Sequence, residues 1–347
     1  MSIKKLILDT DIGDDIDDAY ALAMALSLPE IELIGVTTVF KNTDARARIA
    51  SKILKLANHN CPVYAGLSVT ETGGEEDEIP IQYTSDLDEA CYAPLNDTSS
   101  DRGQGAVDFI VRSAETYGSD LTLVAIGALS NVAAAIRQKP ESMKKIGQIV
   151  LMGGDFVRQL QEWNILCNPS AAKTVLESGL NITCVGLNIT EQTNIGNANF
   201  QHILEQVNHT DPLTAYLAQL TDLWHKCIYY EGCIPILHDS LTLYQAFYQD
   251  MTKLGHCRIH VETENRYAKG MTLNIDHLYR THEYTEDTNY VHVVTEAQAG
   301  KFVEWFMEKL FRRQKMHEVL VADSATVTKP STARILISFS EATNKRR

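Results

Sequence analysis

The chain is short of positive charge. Its 347 residues carry 31 Lys and Arg against 45 Asp and Glu, a formal net charge of −14. That balance argues against nucleic acid and anionic membrane surfaces as partners. Cysteine is sparse too: seven residues, at 61, 91, 167, 184, 227, 233 and 257, with no C-x-x-C pair. The missing pair argues against a thiolate zinc site, and an odd number of cysteines in mostly apolar surroundings reads as free thiols in a reducing compartment. No apolar run is long enough to span a bilayer, and Met1-Ser2 leads straight into a strand-like run instead of a signal peptide. The expected location is cytoplasmic. No internal repeat and no Gly/Ser linker forces a cut into two domains. The expected organisation is one α/β domain over 1–316, followed by a Ser/Thr-rich, poorly packed extension over 317–347 that ends NKRR.

What the chain does have is alternation. Lys5-Leu6-Ile7-Leu8 reads as a buried strand and Asp17 to Leu28 as a helix. Ile31 to Val39 reads as a strand, and Thr43 to Ala57 as a helix with an N-cap threonine. Further strands are expected at Pro62 to Ala65, Leu121 to Ile126, Gln148 to Met152 and Asn181 to Gly186, with helices between them. This strand–helix rhythm predicts βαβ units with right-handed crossovers. The result is a mostly parallel, Rossmann-like open sheet flanked by helices. Its ligand site belongs at the carboxyl ends of the strands. From about 195 to 237 the pattern turns helical, strands return between 256 and 298, and Ala297 to Arg313 reads as a closing amphipathic helix.

The first strand runs into LDTDIGDDIDDAYALAMAL, which holds Asp9, Asp11, Asp14, Asp15, Asp17 and Asp18 within ten residues. Like charges at this spacing repel, and a low local dielectric strengthens the repulsion. Something positive should sit among them. One or two could serve the following helix as N-cap or dipole partners, but not six. Asp9 and Asp11 leave the strand on one side. With Asp17 or Asp18 returning from the helix start, they form a pocket of hard oxygens suited to Ca²⁺ or Mg²⁺. An EF-hand does not fit: Gly13 is at the wrong offset and Tyr20 takes the twelfth place counted from Asp9. A D-x-D phosphatase of the haloacid-dehalogenase type fits weakly, since Gly13 stands where that family carries Thr or Val.

Other groups are modest alone. Leu237-His238-Asp239-Ser240 follows an apolar stretch. Glu162-Trp163-Asn164 lies ten residues beyond Met152-Gly153-Gly154 and offers a sugar a carboxylate, an aromatic face and an amide. Asn42 follows Thr37-Thr38-Val39 and alone reads as a turn residue. In this order, however, the groups resemble the inosine–uridine-preferring nucleoside hydrolases. Asp9, Asp11, Gly13 and Asp17-Asp18-Ala19 resemble that family's D-x-D-x-G-x-D-D-A, with two extra residues. Thr37 to Asn42 resembles T-T-V-x-G-N, with Lys41 replacing glycine. Leu123 to Asn131, Val150 to Gly154 with Glu162 to Asn164, His238-Asp239 and Lys269 to Thr272 resemble its remaining motifs. The resemblance runs from about 3 to 312.

The resemblance implies cleavage of the N-glycosidic bond of a ribonucleoside around one Ca²⁺. Its ligands would be Asp11, Asp18, the backbone carbonyl of Ile126 and Asp239, with water and the ribose hydroxyls completing the shell. Asp17, Asn164 and Asn42 would hold ribose hydroxyls, Glu162 would meet the 5′-hydroxyl, and Trp163 completes the substrate-binding set. Asp11 would be the general base on the metal-bound water. His238 would be the acid to the leaving base, holding its proton near neutrality. Surplus negative charge suits the oxocarbenium-like transition state. The longer Ile12–Ile16 loop leaves Asp14-Asp15 as an alternative to Asp17-Asp18, which is preferred because the apolar helix starts directly after it. The asparagine that often precedes the family's glutamate is absent from Phe156 to Gln161. Trp224, His225, Tyr229 and Tyr230 are candidates to face the base. The family is usually dimeric or tetrameric, so a homo-oligomer is expected. The competing functions are the D-x-D phosphatase and a ribonucleoside-binding protein without turnover.

Overall fold

The apolar runs of the first half are buried on both faces, as a central parallel strand requires. The structure, a computed structural model, describes residues 4–72, 77–88, 103–158, 160–277 and 290–312. Its strands are β1 (Lys4–Thr10), β2 (Ile31–Thr38), β3 (Val63–Ala65), β4 (Leu121–Ala125), β5 (Gln148–Met152), β6 (Ile182–Val185), β7 (Thr252–Val261), β8 (Thr272–Asn274) and β9 (Tyr290–Ala297). In β1, Leu6 and Leu8 enter one apolar layer and Ile7 the other. In β5, Val150 and Met152 face the first layer while Ile149 and Leu151 face the second. The helices Asp17–Ser27, Thr43–Leu56, Pro212–Lys226 and His238–Phe247 cover the first face. Gln104–Tyr117, Ser130–Gln138 and Pro169–Leu176 cover the second.

The sheet order is β3-β2-β1-β4-β5-β6-β9-β7-β8. Pairings from β3 through β6 and on to β9 are parallel, whereas β7 runs antiparallel to β9 and to β8. The expected mostly parallel open α/β sheet is therefore the one observed. The chain moves outward one way through β2 and β3 and the other way through β4, β5 and β6, so the order reverses between β1 and β4. At such a reversal the loops after the two strands part and leave a crevice at the carboxyl edge.

Two details differ from the sequence expectation. The cap of helix Thr43–Leu56 is Asn42, whose Oδ1 accepts from the Ala45 amide at 3.0 Å; Thr43 is the first helical residue. Ile16, not an aspartate, is the N-cap position of helix Asp17–Ser27, so Asp17 and Asp18 sit in its first turn and neither caps it. Met1–Phe311 forms one compact unit. The expected extension 317–347 and Cys91 lie outside the described residues. Among the described residues, no helix is long and apolar enough to cross a membrane.

The edge at β1 and β2 is tied by one side chain. Asn131 donates through Nδ2 to Asp9 Oδ1 at 2.7 Å and to the Thr38 carbonyl at 2.9 Å, and its Oδ1 accepts from the Leu67 amide at 2.9 Å. Asn131 is fully buried, so its removal strands several polar groups away from water. Asn131→Ala is expected to lower unfolding stability by roughly 2–4 kcal/mol in a denaturant titration; a loss under about 0.5 kcal/mol would contradict this bracing role.

Candidate active site

The loops after β1, β2, β4 and β5 and the start of helix His238–Phe247 enclose a cavity of about 740 Å³. Its lining includes Asp11, Asp17, Asp18, Ile126 and Met152 on one side, and Glu162, Trp163, Asn164, His238 and Asp239 on the other. Nine of the residues expected at the site are thus brought together from segments more than 220 positions apart. Asn42 is not brought to the cavity: it caps its helix and donates through Nδ2 to the Asp77 carbonyl at 3.1 Å.

At the floor, oxygens of Asp17, Asp18 and Asp239 lie within 4.8 Å of one another, and all three residues are buried. The Asp239 amide donates to Asp17 Oδ2 at 3.2 Å, and Thr10 Oγ1 donates to Asp18 Oδ1. Burial, then mutual repulsion among Asp11, Asp15, Asp17 and Asp18, holds these carboxyls well above their ordinary range. Burial raises Asp11 to about 7; the Arg46 guanidinium opposes this and Asp14 adds to it. At this separation, two carboxylates repel by about 3.5 kcal/mol for an effective dielectric of about 20. A helix N-terminus returns about 0.3–2 kcal/mol to each. The repulsion wins, and a divalent cation fits here: the donors are oxygens only, close-set and negatively charged.

One resident cation does sit under the acidic loop, and the sequence reading missed it. Arg46 is buried; its Nε donates to the Phe40 carbonyl at 2.8 Å, Nη1 to the Ile12 carbonyl at 3.1 Å and to the Asp11 carbonyl, and Nη2 to Asp14 Oδ2 at 2.7 Å. The available signal was its register: Arg46 shares the stripe of Ile49, Ala50 and Ile53 at i, i+3, i+4 and i+7. Arg46 thereby engages Asp14, while Asp15 Oδ1 accepts from the Ile16 amide at 2.7 Å. The close-set trio therefore contains Asp17 and Asp18. Gly127 lets the loops meet, since a Cβ there would lie 2.8 Å from Asp11 Oδ1.

The wall that carries Glu162 and Asn164 is pre-ordered. Glu162 accepts from the amides of Gly154 at 3.0 Å, Asn164 at 2.9 Å and Ile165 at 3.2 Å. Burial still raises its carboxyl despite those amides. Asn164 Nδ2 donates to the carbonyls of Ile126 at 3.1 Å and Met152 at 3.2 Å, so the side chain has its amide oxygen left to offer a ligand. Gln161, another residue the sequence reading passed over, lines the cavity and donates to the Lys269 carbonyl at 2.6 Å. Tyr229 and Tyr230 line the mouth, whereas Trp224 is buried behind Tyr230 with ring centroids 5.1 Å apart. His225 does not line the cavity; its ring packs on Phe200 at 4.8 Å.

His238 departs from the expectation in one respect. Its Nδ1 lies 2.7 Å from Thr190 Oγ1, and burial pushes the ring down to about 4. Burial thus favours the neutral imidazole, against the expectation that the ring holds its proton near neutrality.

An open α/β sheet with a buried, all-oxygen carboxylate cluster at its switch point places the chain among the doubly wound α/β proteins, with a cavity sized for a small molecule. The sequence and fold comparisons sharpen this. A family profile described as "Inosine-uridine preferring nucleoside hydrolase" matches residues 6–304. The chain is 32% identical over 321 residues to "Probable uridine nucleosidase 2" of Arabidopsis thaliana, covering 88% of this chain and 97% of that protein. It is 35% identical over 199 residues to the pyrimidine-specific ribonucleoside hydrolase RihB of Escherichia coli, covering 56% of this chain and 62% of that protein. Its fold is similar to a plant nucleoside hydrolase, PpNRh1, with a TM-score of 0.72 and 28% identity over 89% of this chain and 99% of that one. The chain belongs to the inosine–uridine-preferring nucleoside hydrolase family. It is a glycosidase, not a D-x-D phosphatase.

The raised carboxyls set a pH dependence. Asp9 and Asp11 stand at about 7 and Asp15 at about 6, against 3.8 for an unperturbed aspartate. In that interval the folded, cation-free protein binds protons that the unfolded chain has released. Stability therefore falls as pH rises toward 7. In excess chelator, Tm is expected to be higher at pH 5 than at pH 7.5, and a divalent cation should raise Tm most at the upper pH. A chelated protein with a higher Tm at pH 7.5 would contradict the repulsion argument.

Proposed function

We propose that the protein hydrolyses ribonucleosides to ribose and free base with one Ca²⁺ in the carboxylate cluster, Asp11 as general base and His238 as donor to the leaving base. The supporting observation is the juxtaposition of Asp17, Asp18 and Asp239 at the floor of a cavity that also holds Asp11, Asn164 and Glu162. Asp11, Asp18, Asp239 and the Ile126 carbonyl would hold the ion. This set is all oxygen and includes a main-chain carbonyl, which suits the larger and more tolerant shell of calcium better than the strict octahedron of magnesium. A bound Ca²⁺ would lower the pKa of a neighbouring water and fix the ribose diol.

The chain's own groups would do the rest. Asp11 takes the proton of the attacking water as the new C1′–O bond forms, and the C1′–N bond breaks with its electron pair leaving on the base. Asp17 and the Asn164 amide oxygen hold ribose hydroxyls. Glu162 keeps lone pairs for the 5′-hydroxyl beyond the three backbone amides it already accepts. Trp163, 54% exposed at the rim, offers its face to the substrate. The carboxylates around the ring stabilise the developing oxocarbenium charge. Thr190 Oγ1 holds His238 Nδ1 at 2.7 Å; in the tautomer with its proton on Nε2, the ring would donate a hydrogen bond to the base as it departs.

The test is metal content with activity. About one Ca²⁺ per chain is expected by elemental analysis, with release of reducing sugar from uridine or inosine lost on chelation and restored by Ca²⁺. Asp11→Asn should lower kcat by about 10²–10⁴. His238→Ala should slow nucleosides far more than p-nitrophenyl riboside, whose leaving group needs no assistance. Full activity in exhaustively chelated, metal-free protein would overturn the calcium assignment, and near-normal turnover by Asp11→Asn would overturn the base assignment.

A further inference from the structure

Lys41 stands where the resembling segment T-T-V-x-G-N carries glycine, and its backbone shows why glycine suits the position. Phe40 and Lys41 are consecutive left-handed residues, with φ of 72° and 53°. Glycine adopts that conformation freely, whereas a Cβ resists it. A side chain kept on such a backbone points to a use for that side chain.

Lys41 Nζ donates to Glu78 Oε2 in an ion pair and lies 5.2 Å from the Phe40 ring centroid. Both members of the pair line the cavity. The lysine side chain is 16% exposed and the glutamate 58%, so the lysine is the more buried member of the pair. Among the described residues that line the cavity, Lys41 is the one Lys or Arg, and the acidic groups around it include Asp11, Asp17, Asp18 and Glu162. A phosphorylated substrate would meet that array of carboxylates, so a phosphate is not the partner the cavity favours.

A base is the better match. Phe40 and Trp163 meet edge to face at 6.1 Å, and Ile79 and Ile81 line the same cavity. Together they make an apolar region fit for a flat ring. An ammonium only donates and a carboxylate only accepts. Side by side they complement a C=O next to an N–H, the lactam edge of uracil and hypoxanthine. Cytosine and adenine present an amino group next to a bare ring nitrogen. That reversed order sets donor against donor and acceptor against acceptor.

We propose that the Lys41–Glu78 pair reads the lactam edge of the base and makes the enzyme select oxo-bases over amino-bases. The inference rests on the ribonucleoside reading above. As the C1′–N bond breaks, its electron pair passes into the base. The Lys41 ammonium, donating to the base oxygen, then holds part of that charge.

The experiment compares wild type, Lys41→Gly, Lys41→Met and Glu78→Gln by kcat/KM on uridine, cytidine, inosine and adenosine, with p-nitrophenyl riboside as the substrate without a lactam edge. Wild type is expected to prefer uridine over cytidine and inosine over adenosine by more than about tenfold. Each variant should lose about 10–100-fold on the oxo-bases, less than a fully buried pair would cost because Glu78 is half in water. Each should change little on the amino-bases, bringing both ratios within about threefold, and p-nitrophenyl riboside should stay within about twofold. Lys41→Gly should be at least as heat-stable as wild type. Parallel losses on oxo- and amino-bases, or unchanged ratios, would overturn the proposal while leaving ribonucleoside hydrolysis intact. A wild type that turned over p-nitrophenyl riboside but no ribonucleoside would overturn both.

Discussion

The structure turns on the repulsion among carboxylates that the fold forces together out of water. Asp17, Asp18 and Asp239 bring their oxygens within 4.8 Å of one another, with Asp11 on the same cavity wall. Separating such charges by side-chain rotation is blocked by packing: Asp17 and Asp18 are fixed in the first turn of a helix whose residues Ala19 to Met24 are fully buried. The remaining remedies are protonation or a cation. Protonation costs the site its chemistry, because a base must be ionised to act. A divalent cation removes the repulsion and supplies a point of attachment for hydroxyl oxygens, so the same charge excess that destabilises the bare protein serves the reaction.

The rest of the fold holds those charges where they are. The reversal of strand order between β1 and β4 opens the crevice, and Gly127 allows the loop after β4 to approach Asp11 closely. Arg46 anchors the acidic loop from below through the carbonyls of Asp11 and Ile12 and the Asp14 carboxylate, and ties it to the Phe40 carbonyl of the loop after β2. Asp9, although part of the same cluster in sequence, is withdrawn into the sheet, where Thr37 and Asn131 donate to its Oδ1 at 2.5 and 2.7 Å. The six aspartates thus divide their labour: one braces strands, and the five that line the cavity comprise one paired with arginine, one holding a loop amide and three candidates for ion and sugar.

The central sheet was legible in the sequence because strands buried on both faces are unbroken apolar runs; Gln148 to Met152 matches β5 residue for residue. The edge was less legible. β7 starts at Thr252, earlier than the expected return of strands at 256, because its first residues are partly exposed and show little apolar patterning. The cap at Asn42–Thr43 offered two good capping residues in a row, and only the backbone angles choose between them. The site's motifs were legible as an ordered series, and the fold gathers nine of their residues around one cavity, some from strand ends and some, such as His238 and Asp239, from the start of a helix. The electrostatics were not. The depressed His238 ring follows from burial among residues far away in sequence, and Arg46 hides within an ordinary basic helix. The aromatic candidates before His238 split by position: Tyr229 and Tyr230 reach the cavity, while Trp224 and His225 turn into the core.

The central claim is that a cation in the carboxylate cluster grips the ribose diol. It is tested most directly by kcat/KM for uridine against 2′-deoxyuridine, and for inosine against 2′-deoxyinosine. Without the 2′-hydroxyl, the ion loses a ligand and Asp17 or Asn164 loses its partner. Sites built around a hydroxyl reject the analogue lacking it by roughly 10⁴–10⁵. Water filling part of the gap and the easier formation of a deoxyribosyl cation both reduce that figure. Discrimination of about 10³–10⁴ is therefore expected for both pairs. Values within tenfold for both pairs would contradict the account.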